Sequence, residues 1–235
     1  MSGVTVVTPA SADPIEDNEI KRALRIATSD STHDNLISTA RATATDIIAK
    51  YLGMSIINQT LKLSLDSLPY ENENIPIQEG VSVGPYMSYI SRVIYLPQPP
   101  LVSVTHIKTF NDSDTATTLS TGVYYVDTAS DIGRVVLRRG EVWGEMLRVA
   151  NSMEITYVAG YGASSGNVPI AIRQAIITMA VNIFENPEPI IKGENSTRVS
   201  GVLESLLRPY LVRRYGIGFS WWLNNQSLLV NWDIL

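Results

Sequence analysis

Cysteine is absent from this 235-residue chain, and histidine occurs only at His33 and His106. The lack of thiols excludes disulfide bonds and zinc sites built on thiolates. Two histidines leave few candidates for general acid–base catalysis or for metal binding. The sequence also has no phosphate-binding loop, and its Gly160-x-Gly162 pair misses the dinucleotide fingerprint. We therefore expect no cofactor and no metal.

Long apolar runs and an excess of positive charge are also missing. The longest apolar helix, residues 170–184, is interrupted by Arg173, Gln174 and Asn182, so it is too polar to span a bilayer. The N-terminus lacks the basic and apolar regions of a signal peptide. The net charge is −5, whereas proteins that grip nucleic-acid phosphates carry a basic surface. We expect no membrane partner and no tight binding of DNA.

Two amphipathic helices are predicted in the first 53 residues. Asp13 fits an N-cap before Pro14, and this helix then continues to residue 27. A second helix ends at Gly53, which suits the C′ position. The predicted buried positions are Ile20, Ala23, Leu24 and Ala27 in the first helix, and Leu36, Ile37, Ala40, Ala44, Ile47, Ile48, Tyr51 and Leu52 in the second.

After the second helix, the spacing of apolar residues changes from the 3.6-residue period of a helix to the 2-residue period of a strand. Residues 60–66 alternate strictly and place Leu61, Leu63 and Leu65 on one face, which predicts a half-buried strand. Further short strands are predicted at 92–96, 101–110, 123–126, 134–137 and 153–159. Most gaps between them are too short for the crossovers that parallel strands need, so the pattern predicts an antiparallel sheet or a small barrel.

The helical period returns after Gly166. Pro169 suits position N1 of a helix whose apolar stripe is formed by Ile172, Ala175, Ile176, Met179, Ala180, Ile183 and Phe184. Pro187 and Pro189 should stop it, and Pro209 should break a last helix that carries Val199, Val202, Leu203, Leu206 and Leu207. The order predicts an α+β fold: a helical core of about four helices from residues 14–54 and 168–215, an antiparallel β insertion at 55–167, and an extended C-terminal arm at 216–235.

The C-terminal arm carries no charge between Arg214 and Asp233. An exposed apolar segment of this kind aggregates unless something covers it, so the arm either folds back on its own β insertion or binds another chain. Its candidate contact residues are Trp221, Trp222, Leu228, Leu229, Val230 and Trp232. Three arginines precede the arm at Arg208, Arg213 and Arg214. They either contact phosphate or an acidic partner, or form a solvated helix end, where cations suit the helix dipole.

One serine lies in a catalytic-looking context. Residues 162–166 fit G-x-S-x-G between a predicted strand and a predicted helix, as in a nucleophile elbow centred on Ser164. In that fold the catalytic histidine follows the serine, whereas both histidines here precede it, so a plain loop is favoured. Asp112 and Asp114 lack further spaced ligands and fit a turn. A serine hydrolase and a freestanding β-barrel binding module are the alternatives to a structural role.

Five segments occur in the order found in the head–tail connector (adaptor) proteins of tailed phages. They are YLPQPPLVSVTHI, YYVDTASDIGRVVL, ITYVAGYG, VPIAIRQAIITMAVNIFENPE and ESLLRPYLVRRYG. Together with the two N-terminal helices, they make the chain resemble this family over residues 15–216. The resemblance implies a helical core with a β insertion, and a structural virion protein with no catalytic residues.

The same resemblance implies partners and a location. Copies made in the host cytoplasm would assemble into a ring, usually of twelve, beneath the portal protein at the head–tail interface. The ring would extend the DNA channel without binding DNA specifically, and would present a platform for stopper or tail proteins. The portal then becomes the expected partner of the C-terminal arm, with the two adjacent tryptophans and the 228–232 run as its contacts.

Overall fold

The structure, a computed structural model, describes residues 2–66, 70–71, 89–90, 92–144, 147–186 and 201–211. Its helices are α1 Asp17–Ala23, α2 Asp34–Leu52, α3 Ile170–Glu185 and α4 Gly201–Leu207. Its strands are β1 Ser2–Thr8, β2 Gln59–Leu65, β3 Tyr70–Glu71, β4 Tyr89–Ile90, β5 Val93–Tyr95, β6 Leu101–Phe110, β7 Ala116–Thr118, β8 Tyr124–Asp127, β9 Arg134–Leu137 and β10 Met153–Ala159. The prediction of an α+β fold with antiparallel strands between the second and third helices is confirmed. The predicted arm lies outside the described residues.

The first helix begins later than predicted. Its N-cap is Glu16, and a capping box joins the side chains and backbone amides of Glu16 and Glu19 reciprocally. The prediction of Asp13 as the N-cap is therefore wrong. Asp13 instead forms an ion pair with Arg41, at 2.9 Å.

The first helix also ends earlier than predicted, because the backbone adopts a left-handed conformation at Arg25, with φ of 58°. Ile20 is fully buried, as predicted, and Leu24 is partly buried. Ala23 and Ala27, which were expected on the same buried face, are exposed. The helical stripe predicted beyond residue 23 is therefore wrong, since those residues belong to the turn that follows.

Helices α2 and α3 pack against each other and form the centre of the helical cluster. Gly53 caps α2 with a φ of 66°, as predicted. Leu36 is an exception to the predicted stripe, since it is 61% exposed in the first turn of α2. Pro169 is the N-cap of α3 and not its first helical residue. The buried facing positions are Ile37, Ala40, Ala44, Ile48 and Leu52 on α2, and Ile172, Ala175, Ile176, Met179 and Ala180 on α3.

The main sheet has the strand order β1-β2-β10-β6-β7, and every pairing in it is antiparallel. Leu61, Leu63 and Leu65 are buried on one face, which confirms the alternation predicted for β2. A second sheet has the order β5-β9-β8, and β3 pairs with β4. Buried apolar side chains of the first two sheets form a cluster separate from the helical one.

Both ends of the β-rich segment meet the helices at one place. The amide of Ser55 donates to the carbonyl of Pro99 at 3.0 Å, and the amide of Gly160 donates to the carbonyl of Pro100 at 2.9 Å. The amide of Asn58 donates to the carbonyl of residue 162 at 2.9 Å. These bonds fix the sheet against the end of α2. No helix among the described residues has the length and apolarity to cross a membrane.

Candidate assembly surface

A groove of about 830 Å³ lies where the last helix meets the β-rich segment. Its lining residues are Met54, Pro100, Ala129, Ser130, Asp131, Tyr161, Ser205, Arg208, Pro209, Tyr210 and Leu211. One cation and one carboxylate, those of Arg208 and Asp131, lie among apolar and aromatic side chains. The lining therefore combines polar and apolar side chains.

The local sequence explains why Arg208 lines this groove. Leu203 and Leu207 of α4 are buried against the helical cluster, and Pro209 then converts the chain to a 3-10 turn over Arg208–Tyr210. The predicted break at Pro209 is thus confirmed. Arg208 follows directly after the buried position and remains exposed. It forms no ion pair with any residue of the described ranges.

Arg208 is the one predicted contact residue that falls within the described ranges. Arg213 and Arg214 lie outside them, as do the arm residues Trp221, Trp222, Leu228, Leu229, Val230 and Trp232. Their roles stay predictions. The last described residue is Leu211, which itself lines the groove, so the segment that leads to the arm starts at this surface.

Ser164 is not arranged as a nucleophile. Its exposed hydroxyl donates a hydrogen bond to the Asn167 side-chain carbonyl at 2.8 Å. His33 packs edge-on against Phe184, with ring centroids 5.8 Å apart, and His106 lies within β6. In the part of the chain that the structure describes, neither histidine bonds to Ser164. The geometry therefore offers this serine no base.

The acidic side chains in two of the turns form ion pairs with arginines. Asp114 bonds to Arg148 at 2.9 Å, and the Arg148 guanidinium also lies 4.1 Å from the centre of the Phe110 ring. Within the described ranges, no three potential metal ligands among histidine, cysteine and carboxylate side chains lie together.

Asp127 lies in the second of these turns, where its carboxylate accepts hydrogen bonds. Hydrogen bonds from the Ser130 hydroxyl, at 2.7 Å, and from the Arg134 guanidinium, at 2.8 Å, lower the pKa of Asp127 from 3.8 to about 2. The carboxylate thus holds the loop that leads from β8 to β9. Ser130 and Asp131 of the same loop line the groove.

Acids near the N-terminus pair with cations of the later helices. Arg41 of α2 bonds to both Asp13 and Asp17, each at 2.9 Å. Arg173 of α3 bonds to Glu19 at 2.7 Å. The charges of Asp13, Asp17 and Glu19 are therefore neutralised by arginines of α2 and α3.

The sequence analysis missed the two outer strands of the main sheet. Neither β1 nor β7 was predicted, because their side chains are mostly exposed and show no apolar periodicity. The register shift between Val6 and Thr8 further breaks the alternation of β1. The signal that was available is composition: both strands consist of Ser, Gly, Ala, Val and Thr alone.

Comparison with known proteins finds similarity to solved structures only. No family model matches the chain, and no curated protein does. A chain in the neck of an empty gene transfer agent (GTA) particle, computed with C6 symmetry, gives a TM-score of 0.69 at 17% identity, over 92% of this chain and 99% of that one.

Two further solved structures agree. A chain in the virion of a native GTA particle gives a TM-score of 0.64 at 16% identity, over 91% of this chain and 97% of its own length. A chain in the neck of a native GTA particle, computed with C12 symmetry, gives 0.59 at 17% identity, over 93% and 99%. The chain described here therefore has the fold of chains from the necks and virion of GTA particles.

Proposed function

We propose that this protein is a structural subunit of the neck at the head–tail junction of a tailed particle, with no catalytic role. The observation that carries the proposal is the extent of the likeness to neck chains, 92% of this chain and 99% of the other. A likeness of that extent includes both the helices and the β-rich segment. The absence of a base beside Ser164 agrees with a structural role, and no observation favours the hydrolase alternative.

The subunits are proposed to form a closed ring of twelve. Two of the similar neck chains come from reconstructions with C6 and C12 symmetry. In a cyclic assembly each subunit uses two different surfaces, one toward each neighbour, and the same contact repeats until the ring closes. DNA would pass through the lumen without specific binding, since a net charge of −5 offers few cations to phosphates.

The ring is further proposed to dock beneath the portal through the C-terminal arm and to present its other face to stopper or tail proteins. Leu211, the last described residue before the arm, lines the groove, and the arm contains the adjacent tryptophans Trp221 and Trp222. A tryptophan that fills a partner's pocket is a common interface hot spot, worth about 2–4 kcal/mol when truncated. One arm would bind weakly, but a ring of arms gains effective concentration.

The test is co-sedimentation with isolated portal of three forms: the full chain, a chain that ends at Tyr215, and Trp221→Ala/Trp222→Ala. Both altered forms should lose at least about thirtyfold in portal affinity, which corresponds to about 2 kcal/mol for one hot spot, while their circular dichroism spectra keep the helical and strand content of the full chain. Val149→Ala is the matched control, because Val149 is an exposed apolar residue outside the arm, at 91% exposure. Unchanged portal binding by both altered forms would refute the arm as the anchor.

A further inference from the structure

Charge is distributed across the main sheet in an unusual order. The three inner strands each carry charge, at Lys62 in β2, Glu154 in β10 and Lys108 in β6. The two outer strands, β1 and β7, carry none. Natural sheets commonly place charged residues on their outer strands, because charge there prevents pairing with another sheet. The two outer strands of this sheet therefore lack the charge that would oppose pairing with another strand.

Both edges are open in the described ranges. There, β1 pairs with β2 alone and β7 pairs with β6 alone, so the outer amides and carbonyls of each strand meet no further strand. Val6 lies in the same cross-strand row as Leu61 and Tyr157, which are fully buried, yet Val6 is 54% exposed. The apolar face of the sheet thus extends past the area that the described chain covers.

The strand directions select how a second copy fits. Four antiparallel pairings separate β1 from β7, so the two edge strands point the same way. A copy rotated about an axis parallel to the strands brings its β7 beside β1 of its neighbour, in parallel pairing. Such a contact joins two different surfaces, and its repetition forms a ring when the rotation between neighbours closes after a whole number of copies, as the proposed twelve-membered ring requires. Parallel pairs are slightly weaker per residue, and β7 has three residues, so a single contact is weak.

We propose that β1 of each copy pairs with β7 of the next copy, so that the five-stranded sheets join side by side around the ring. This inference rests on the proposed ring function and names the contact within it. The occupant of the β1 edge is a second copy of this chain.

Two double variants of the full chain test the contact: Thr5→Glu/Thr118→Glu and Thr5→Glu/Thr118→Lys. Thr5 and Thr118 are exposed edge residues, paired across the sheet with Lys62 and Lys108 respectively. The double glutamate variant therefore gains opposite charges within its own sheet, whereas a lysine introduced at position 118 would face Lys108. A lower fraction of assembled rings for the double glutamate variant would therefore not result from a less stable subunit.

Mass photometry and sedimentation velocity measure the ring fraction at low and high salt. The double glutamate variant should lose about two- to fivefold in the association constant of each contact, since the like charges would be diagonal neighbours on the same face of the joined sheets. The variant that combines glutamate with lysine should assemble like the wild type. The difference should shrink at about 1 M salt, where the screening length is about 3 Å.

Three results would overturn the proposal. Equal losses by both variants would indicate that β1 pairs with β1 of another copy, since the glutamate introduced at position 5 would then meet its own counterpart in both. Unchanged assembly by both would place the contact elsewhere. A wild-type chain that forms no ring, alone or with portal, would count against the proposed neck function itself and remove the basis of this contact.

Discussion

Tyr157 is a fully buried side chain of the main sheet that carries a polar group into the core. Its hydroxyl donates to the carbonyl of Pro97 at 2.8 Å, and burial raises its pKa. Tyr157→Phe would leave that carbonyl without its donor, at a cost of about 1–3 kcal/mol in the free energy of unfolding. Urea denaturation measures the change. Tyr125→Phe, at an exposed tyrosine, is the control, and equal effects of the two changes would contradict the prediction.

Asp127 makes stability depend on pH in a defined direction. Its pKa is about 2 in the folded chain against an ordinary 3.8, because Ser130 and Arg134 favour the ionised form. The stabilisation is therefore complete above about pH 4 and is lost as the pH falls toward about 2. Asp127→Asn should lower stability at about pH 7, and its difference from the wild type should shrink at about pH 2.

The measurement for Asp127 is urea unfolding of both forms across this range of pH. Asp112→Asn removes a carboxylate from an exposed turn and serves as the matched control. A difference between wild type and Asp127→Asn that stays constant down to about pH 2 would rule out the carboxylate as its source.

The junction between the strands and α2 depends on Gly160, which directly follows β10. Its φ is 145°, and a Cβ there would lie 2.4 Å from the amide nitrogen of Asn58. Gly160→Ala should therefore cost about 2 kcal/mol or more in the free energy of unfolding, since backbone strain alone costs about 1–3 kcal/mol.

Gly140→Ala is the control that separates the cost of a positive φ from the cost of the steric clash between residue 160 and Asn58. Gly140 also has a positive φ, of 87°, but a Cβ there meets nothing within 4 Å. Thermal and urea unfolding should show Gly160→Ala as the more damaging change. Equal losses would mean that the close approach to Asn58 relaxes without cost.

The sequence predicts best the helices and strands whose apolar side chains are buried within the same subunit. Strands β6, β9 and β10 have the predicted bounds, and α2 and α3 follow the predicted period, because apolar residues repeat at the spacing of the buried face. The start of α1 was predicted at Asp13, a residue type that N-caps favour, whereas the reciprocal bonds between Glu16 and Glu19 set it at Glu16. Strands β1 and β7 left no such pattern, because pairing with a neighbouring strand holds them in place and their side chains are mostly exposed.

The same reasoning explains how much of the candidate surface the sequence could predict. Arg208 was identified from charge near a helix end, and the structure places it in the groove. The groove itself was not predictable, since Ser130 and Asp131 reach it from a loop distant in the chain. The roles of the arm residues rest on composition and remain predictions.

At the scale of the whole molecule, charge is organised by pairing between distant segments. Arg41 and Arg173 hold the acids of the first helix, and Lys21, itself buried, bonds to Asp34. Each of these pairs joins two different helices, so the ionic contacts help to set the orientation of the helices. Among the described residues, the groove beside Arg208 and the uncharged sheet edges are the proposed partner surfaces.

The meeting of both ends of the β-rich segment at one place has a consequence for how such a chain changes in evolution. The amide of Asn58, near the start of the segment, and the carbonyl of Gly162, just after its last strand, are 2.9 Å apart. Segments that leave and re-enter a fold at one point can lengthen, shorten or be exchanged while the remainder keeps its packing. A lineage could therefore alter the strands from β2 to β10 for new neighbours and inherit the helices unaltered, whereas β1 reaches the main sheet from before α1.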